Sequence, residues 1–232
     1  RVSDRAINLD WGVSLPSQNS AAYVACLRHK LLAHGSHAGW PAFQIVQADQ
    51  SLSLVFRQVP EEPGFIDKLL TSMPELLKQL QGRIDNDPLV NSASKTGRHH
   101  LVPVHYGGAA GADLDWIAEQ TGLSTQAVID LHCSAVYTVQ FLGFLPGFAY
   151  LSGLPALLQL PRRNHPRAHV PAGTLALGAE YCAVYPWNSP GGWHVIGHVE
   201  QCLFDPFGSD ETGQSLFQVG DVVQFVQAEQ HA

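Results

Sequence analysis

The sequence is poor in charge and in long apolar runs, and each shortage excludes a class of protein. Charged residues make up 14% of the 232 positions, with 13 Lys and Arg against 20 Asp and Glu, and no basic block occurs. The electrostatic footprint of a nucleic-acid-binding protein is therefore missing. Because there is also no apolar run of membrane-spanning length and no signal peptide, we expect a cytoplasmic protein that binds neither nucleic acid nor membrane.

Cysteine is also scarce, and the few cysteines lie far apart. None of Cys26, Cys133, Cys182 and Cys202 belongs to a CxxC pair. Each is therefore predicted to be a small buried hydrophobic residue, not a disulfide partner or a metal ligand. The 12 histidines are equally scattered, so no metal site is predicted in this chain. His132, at the end of an apolar helix face, is predicted to be buried and hydrogen-bonded.

The first third of the sequence follows a strand and helix pattern that is typical of a small α+β sandwich. Alternating apolar residues predict strands over 5–12, 42–49 and 51–59, and helical spacing predicts helices over 19–33 and 63–80. Gly35 and Gly39 are predicted to end the first helix, and Pro74 is predicted to kink or split the second. The βαββα order indicates two helices on one face of an antiparallel sheet.

A polar, aperiodic segment then separates two predicted domains. Residues 85–97 are interpreted as a linker between an N-terminal domain, 1–84, and a second domain, 98–232. The second domain begins with a strand and two short helices, for which Asp113 and Ser124 are the predicted N-caps. Short strands with Gly and Pro turns follow, and they predict a closed or nearly closed β-barrel.

The stretch from 143 to 193 is the candidate site, because proline and glycine occur there in short fixed phrases: GFLPGFAYL, PRRNHPR, VPAG and YPWNSPGGW. Loops of fixed shape on a rigid scaffold are where binding sites usually lie, although an all-β domain with many tight turns is the alternative. The candidate substrate-binding residues are Phe144, Pro146, Gly147, Phe148, Pro171, Gly173, Tyr185, Ser189, Gly191, Gly192 and Trp193.

The phrase PRRNHPR supplies the candidate catalytic cations. Prolines at both ends restrict its backbone, and a guanidinium held in place offers a planar, bidentate face to a carboxylate or phosphate. Arg162 and Arg167 are the preferred pair, and the alternative is a solvated turn or an ion pair with a local acid. The sequence has no P-loop, dinucleotide fingerprint, HExxH or nucleophile elbow, so any ATP-dependent chemistry needs a phosphate site from a partner or one built from a different motif.

These motifs together resemble a known family. VPVHYGG, GADLDWIAE, GFLPGFAYL, PRRNHPR, VPAG, YPWNSPGGW and LFDP, between 102 and 206, are similar to the B-type subunit of bacterial 5-oxoprolinase. The family also bears the name allophanate hydrolase subunit 1, includes a sporulation-kinase inhibitor, and is related to subdomains C and D of the carboxyltransferase domain of urea carboxylase, which uses biotin. The resemblance implies an α+β protein with a ferredoxin-like N-terminal sandwich and a cyclophilin-like C-terminal barrel.

The resemblance also implies partners and an activity. Family members pair with a homologous second subunit (the C-type subunit, or allophanate hydrolase subunit 2) and, in 5-oxoprolinase, with a third, lactam-utilisation subunit. We therefore expect a non-autonomous subunit of an ATP-dependent amidohydrolase that acts on a small molecule, with ATP bound through the complex. Two alternatives remain: an inhibitor that binds a sensor histidine kinase through the barrel, and a peptidyl-prolyl isomerase suggested by the barrel fold alone.

The sequence departs from the family pattern in three places. Thr174 stands where the family has Ser, Tyr181-Cys182 replaces a Gln-Thr pair, and His198 replaces an Arg. Because a site that hydrogen-bonds its substrate discriminates through such polar groups, substrate choice is expected to differ at these positions.

Overall fold

A computed structural model describes residues 5–10, 20–47, 51–84, 97–207 and 215–228. The chain divides into two compact units, Arg1–Thr96 and Gly97–Ala232. The predicted linker, apart from Gly97, lies outside the described residues and stays a prediction. No helix within the described ranges is long and apolar enough to cross a membrane.

The first unit is a three-stranded antiparallel sheet with two helices. Its elements are β1 (Ala6–Asp10), α1 (Ser20–His37), β2 (Phe43–Gln47), β3 (Ser51–Phe56) and α2 (Phe65–Ile84), with the strands in the order β1-β3-β2. In β3, alternate residues are buried, and Leu52 and Leu54 lie opposite Leu9 and Ile7 of β1. This period of two places one apolar face against the helices, as the sequence pattern predicts.

Both helices are longer than predicted. Helix α1 continues through Gly35. A Cβ at this position would lie 2.5 Å from the Phe43 ring, so the role of the glycine is to allow close packing against Phe43 and not to end the helix. The prediction that Gly35 terminates α1 is therefore wrong. Helix α2 is also continuous through the exposed residue Pro74, so the proline does not split the helix in two.

The second unit is a closed seven-stranded barrel with helices. It contains β4 (His99–Tyr106), a 3-10 turn (Gly108–Gly111), α3 (Leu114–Thr121), α4 (Thr125–Ser134), β5 (Tyr137–Leu142), β6 (Ala149–Ser152), a second 3-10 turn (Ala156–Leu158), β7 (Arg167–Val170), β8 (Thr174–Gly178), β9 (Tyr181–Val184), β10 (Ser189–Gly191), β11 (His194–His198) and β12 (Val222–Gln227). The barrel order is β11-β4-β12-β5-β6-β9-β8, and β7 pairs with β10 in a separate two-stranded ribbon.

One carboxylate ties the start of the barrel unit to its last strand. Asp221, at the start of β12, accepts hydrogen bonds from the backbone N–H groups of Arg98 and Gln218. It also pairs with the Arg98 guanidinium and the His100 ring. Burial by itself would raise the pKa of Asp221, but these bonds and the Arg98 charge hold it below its usual value. The buried, ionised carboxylate of Asp221 thus holds the beginning of the barrel unit, at Arg98 and His100, against the start of β12.

The structure tests the predictions for the two N-caps, for His132 and for the cysteines. Ser124 caps α4 by accepting from the Ala127 N–H at 3.1 Å, whereas Asp113 makes no capping bond to α3. His132 is fully buried with its Nδ1 2.8 Å from the Tyr106 hydroxyl, and burial lowers its pKa to about 3, which confirms the prediction for this residue. Cys182 is buried and Cys26 and Cys133 are partly buried, but Cys202 is exposed, so the prediction of burial is wrong for Cys202.

The α+β class and the closed barrel are thus confirmed. Strands β8 and β9 are buried on both faces, with Leu175, Leu177, Cys182 and Val184 in the barrel interior. Their other face supports a second apolar cluster outside the barrel. That outer cluster contains most of the aromatic residues of the candidate site.

Candidate functional site

An aromatic cluster covers the outer face of β5, β6, β9 and β8. We call it the aromatic face, and its rings are Phe141, Phe148, Tyr150, Tyr181, Tyr185 and Trp193. The rings pack mostly edge to face, and Phe141 and Tyr150 are stacked with centroids 4.2 Å apart. Such geometry favours a rigid wall, because offset and T-shaped contacts are the preferred arrangements of aromatic rings. The structure therefore brings together the predicted site residues Phe148, Tyr185 and Trp193.

The loop between β5 and β6 places a further aromatic ring at the rim of this face. Phe144 has φ 65°, an unusual value for a residue other than glycine, and its side chain is 59% exposed. Its ring contacts Phe148 and, more distantly, Tyr185. Gly147 has φ 81°, and a Cβ there would lie 2.5 Å from the Phe204 Cβ. The backbone of this predicted loop is thus held in a strained shape, as binding loops often are.

Three of the predicted loops are joined by hydrogen bonds. The Trp187 indole donates to the Pro146 carbonyl at 2.9 Å, and Asn188 Oδ1 accepts from the Ala172 N–H, next to Pro171. Gly173, with φ 81°, donates its N–H to the Tyr185 carbonyl at 2.7 Å. The phrases GFLPGF, VPAG and YPWNSP therefore form one connected rim.

The ribbon of β7 and β10 lies over the aromatic face. Ser189 pairs with Val170, a member of the outer cluster, and Gly191 pairs with Arg167. A Cβ at Gly191 would lie 2.3 Å from the Tyr185 hydroxyl, so only glycine lets the ribbon approach this ring. The adjoining Gly192 carbonyl accepts from the Arg163 N–H at 2.9 Å, which attaches the arginine phrase to the ribbon.

Arg162 and Arg167, the predicted catalytic pair, have different environments. Arg162 is exposed, and its guanidinium carbon lies 5.5 Å from the centroid of the Trp193 ring, a cation–π contact. Its positive charge opposes the effect of burial on the pKa of Tyr150, a half-buried member of the aromatic face. Arg162 is thus a solvent-accessible cation on the aromatic wall.

Arg167 instead belongs to a buried ion-pair cluster that sequence reasoning missed. Asp113 Oδ1 accepts from Arg163 Nη1 and from Arg167 Nη2, both at 2.8 Å, and Asp113 Oδ2 accepts from the Val195 N–H at 2.7 Å. Burial by itself would raise the pKa of Asp113, but these hydrogen bonds and the two positive charges hold it below its usual value. Asp113 is therefore an ionised hub that joins α3, the arginine phrase and β11.

The positive charges of Arg162 and Arg167 both affect the pKa of Tyr185 in the aromatic face. Burial raises the pKa of Tyr185 to about 12, while the charges of Arg162 and Arg167 act in the opposite direction. Tyr185 is thus a buried, neutral hydroxyl group between the two arginine environments. The arrangement can hold an anion by charge and a flat or apolar group by the aromatic wall.

The positions that depart from the family pattern lie on two sides of the barrel wall. Tyr181 is part of the aromatic face, where it contacts Phe141 and Tyr150 edge to face. Cys182 points into the barrel, with its Sγ 3.4 Å from His132 Nε2. His198 lies against Gly173, where a Cβ would meet its ring at 2.4 Å. Of these three residues, Tyr181 is the one that lies on the aromatic face.

Within the described ranges, no group of three or more His, Cys, Asp or Glu side chains has the arrangement to hold a metal ion. The charged groups around the aromatic face are mainly cationic, which suits an anionic or oxyanionic ligand.

Comparisons with known proteins agree with this architecture. The family model for the carboxyltransferase domain, subdomain C and D, matches residues 1–214. A Haemophilus influenzae protein named as the B-type subunit of 5-oxoprolinase is 36% identical over 191 residues, covering 78% of this chain and 88% of that protein. One of the same name from Escherichia coli O157:H7 is 49% identical over 125 residues, covering 54% of this chain and 56% of that protein.

A solved structure extends the likeness to nearly the whole chain. The crystal structure of TTHA0988 superposes with a TM-score of 0.70 at 32% identity and covers 98% of this chain. This chain spans only 40% of the TTHA0988 chain, so the fold occurs there as part of a longer polypeptide. The family model, the sequence identity and the fold agree, and the chain belongs to the family of carboxyltransferase domains, subdomains C and D.

Proposed function

We propose that this chain is a subunit of an ATP-dependent amidohydrolase, and specifically that it acts as the B-type subunit of a 5-oxoprolinase. The reaction opens the lactam of 5-oxo-L-proline to give L-glutamate, with hydrolysis of ATP to ADP and phosphate. The observation that carries the proposal is the arginine phrase beside the aromatic face, in a chain whose relatives are named as this 5-oxoprolinase subunit. An allophanate hydrolase-type substrate is the nearest variant of this proposal.

The chemistry of lactam opening fits the groups present. The substrate carries a carboxylate, and attack on its amide carbonyl creates a second negative charge on oxygen. In this proposal Arg162, beside Trp193, and Arg167, held by Asp113, would stabilise such charges, because hydrogen-bond donors fixed before the reaction stabilise an oxyanion most effectively. The rings of Phe148, Tyr185 and Trp193 would exclude water on one side of the substrate.

ATP and the partner subunits belong to the same proposal. Since the sequence has no P-loop, we assign ATP to the assembled complex and not to this chain alone. An exposed aromatic side chain at the rim favours a protein partner: Phe144 is 59% exposed. We propose a homologous second subunit and a third, lactam-utilisation subunit as these partners.

The exposed ring is also compatible with a sensor histidine kinase as the partner, so a reconstitution experiment must separate the two functions. The chain is purified alone and with its cognate second and third subunits, and glutamate and phosphate release from 5-oxo-L-proline and ATP are measured. We expect no hydrolysis by the chain alone and equal release of both products by the full set. The partners without this chain are the control.

Absence of activity from the full set, together with inhibition of kinase autophosphorylation by this chain, would replace the amidohydrolase proposal with the kinase-inhibitor one. A proline-isomerisation assay on the same preparation tests the remaining alternative, for which we expect no rate enhancement.

A further inference from the structure

Hydrogen bonds hold both of the peptide planes that flank Arg162. The carbonyl of Pro161, which belongs to the plane before Arg162, accepts from His194 Nε2 at 2.8 Å. The N–H of Arg163, which belongs to the plane after it, donates to the Gly192 carbonyl at 2.9 Å. Because a peptide unit is planar, holding both planes restricts φ and ψ of Arg162 together. These two bonds therefore set the direction in which the Arg162 side chain leaves the backbone.

The segment that holds these planes also carries the ring on which the guanidinium lies. Trp193 stands between Gly192 and His194, and the Arg162 guanidinium carbon is 5.5 Å from the centroid of its ring. A cation–π contact requires the cation over the face of the ring, within about 6 Å of its centroid. Residues 192–194 thus hold the arginine backbone and supply the ring, so one short segment places the cation and the ring relative to each other.

The His194 ring is itself held in a fixed orientation. It is 4% exposed and stacks on the Trp116 indole of α3, with centroids 4.4 Å apart and an interplanar angle of 9°. Asp113, just before α3, accepts from the Val195 N–H next to His194, which attaches this helix to β11. Since a carbonyl can only accept a hydrogen bond, His194 Nε2 carries the hydrogen in its contact with Pro161.

The bond from His194 is the part of this arrangement that a substitution can remove. Among the described residues, the neighbouring bonds join backbone groups: the Leu160 carbonyl accepts from the Ala179 N–H at 3.0 Å, and Arg163 pairs with Gly192. Pro161 is exposed, so its carbonyl can bond water when the histidine donor is absent. Loss of the donor should therefore release the Pro161 carbonyl without unfolding the barrel unit.

We infer that His194 is a positioning residue for Arg162: by bonding the Pro161 carbonyl it directs the guanidinium over Trp193, where the cation meets an anionic group of the substrate. His194 acts through Arg162, because its Nε2 is engaged with Pro161 and its ring is covered by Trp116. The inference rests on the proposed function for the identity of the substrate, whereas the position of the guanidinium is measured without any activity.

The side-chain δ-methylene signal of Arg162 in ¹H–¹³C NMR spectra of this chain alone reports that position. Arg162→Lys identifies the signal by removing it. Since the side chain lies against the Trp193 indole, we expect an upfield ring-current shift in the wild type. His194→Phe keeps a flat ring for Trp116 but has no donor, so the shift should be lost. His194→Gln has an amide N–H at the same number of bonds from the backbone as Nε2, so it should keep the shift.

Activity of the reconstituted complex gives the second measurement. In His194→Phe, kcat/KM for 5-oxo-L-proline should fall roughly 10- to 100-fold, as misplacement of a catalytic group by about 1 Å does. His194→Gln should restore most of it, which a role of the aromatic stack alone would not explain. His99→Phe, at an exposed position of β4, is the matched control and should change neither the NMR signal nor kcat/KM.

A folded His194→Phe chain that keeps the wild-type shift would overturn the inference. Equal loss of the shift in His194→Gln would also overturn it, because the donor would then not be the cause. Should His194→Phe not fold, the ¹⁵N signals of the wild-type ring decide: a hydrogen on Nε2 supports the inference, and a hydrogen on Nδ1 alone overturns it.

The two measurements separate this inference from the proposed function. Loss of the shift in His194→Phe with normal kcat/KM would confirm the positioning and reject Arg162 as a catalytic cation. A wild-type complex that is inactive toward 5-oxo-L-proline would reject the proposed function, and the NMR comparison would still decide whether His194 positions Arg162.

Discussion

Replacing Asp113 by Asn should destabilise the barrel unit strongly while hardly changing its packing. Asn has the shape of Asp, so no cavity forms, but the negative charge that holds Arg163 and Arg167 is lost. Removing one partner of a buried ion pair costs about 3–5 kcal/mol. Because the two guanidiniums keep about a quarter to a third of their exposure, solvent offsets part of this cost, and we expect about 2–4 kcal/mol.

Urea denaturation followed by tryptophan fluorescence measures this loss. With a slope of about 2 kcal/mol per molar urea, the midpoint should fall by roughly 1–2 M at unchanged slope. Asp115→Asn is the matched control, since Asp115 is exposed in the first turn of α3, two residues after Asp113, and its effect should stay within about 0.5 kcal/mol.

A second substitution tests the charge imbalance itself. In the Asp113→Asn background, Arg163→Gln removes one of the two uncompensated charges and should recover about 1 kcal/mol or more. If Asp113→Asn costs no more than Asp115→Asn, or if Arg163→Gln only adds to the damage, the excess positive charge is not the dominant energy in this cluster.

Three further outcomes follow. Asp113 and Asp221 have folded-state pKa values below their unfolded values, so the stability that they contribute is present above a pH of about 4 and is lost as the pH falls further. In acid titrations monitored by fluorescence, Asp221→Asn should therefore be less stable than the wild type at pH 7, and the two stabilities should converge near the acid limit. Gly147→Ala, which combines φ 81° with a clash against Phe204, should lower the unfolding free energy by more than Gly122→Ala, where φ is 69° but the space is open and the cost is about 1 kcal/mol. In a thiol titration of the native protein, exposed Cys202 should react quickly, whereas buried Cys182, whose pKa is raised by burial, should react only when the protein unfolds. A Cys202→Ser variant that keeps the fast phase would contradict this assignment.

Local patterns in the sequence were sufficient for the fold class. The alternation in 51–56 and the helical spacing in 65–84 depend on side-chain periodicity, which a single segment contains in full. The barrel was predictable from short strands and turns, and the continuous apolar runs in 174–178 and 181–184 carried a signal of burial on both faces. Helix ends were less predictable: Gly35 lies within α1 because of a contact with Phe43, which lies in a different element.

The candidate site was predictable in outline but not in its charge arrangement. The phrases rich in proline and glycine marked the loops that meet at the aromatic face, because φ restrictions are local properties. Asp113 resembled an N-cap from its neighbours alone, and its partners Arg163 and Arg167 lie 50 and 54 residues away. Long-range ion pairs leave no periodic signal in one sequence, so Arg163 and Asp113 were missed.

The steady-state rate of the reconstituted complex with Arg167→Ala in this subunit tests the role of the arginine site most directly. Glutamate release at varied 5-oxo-L-proline is measured for the wild type, Arg167→Ala and Arg98→Ala, with each complex first shown to assemble. We predict that kcat/KM falls at least about 10-fold for Arg167→Ala, as loss of a charged hydrogen bond to the substrate requires, and stays near the wild-type value for Arg98→Ala. A fully assembled Arg167→Ala complex with normal kcat/KM would contradict the assignment of this site.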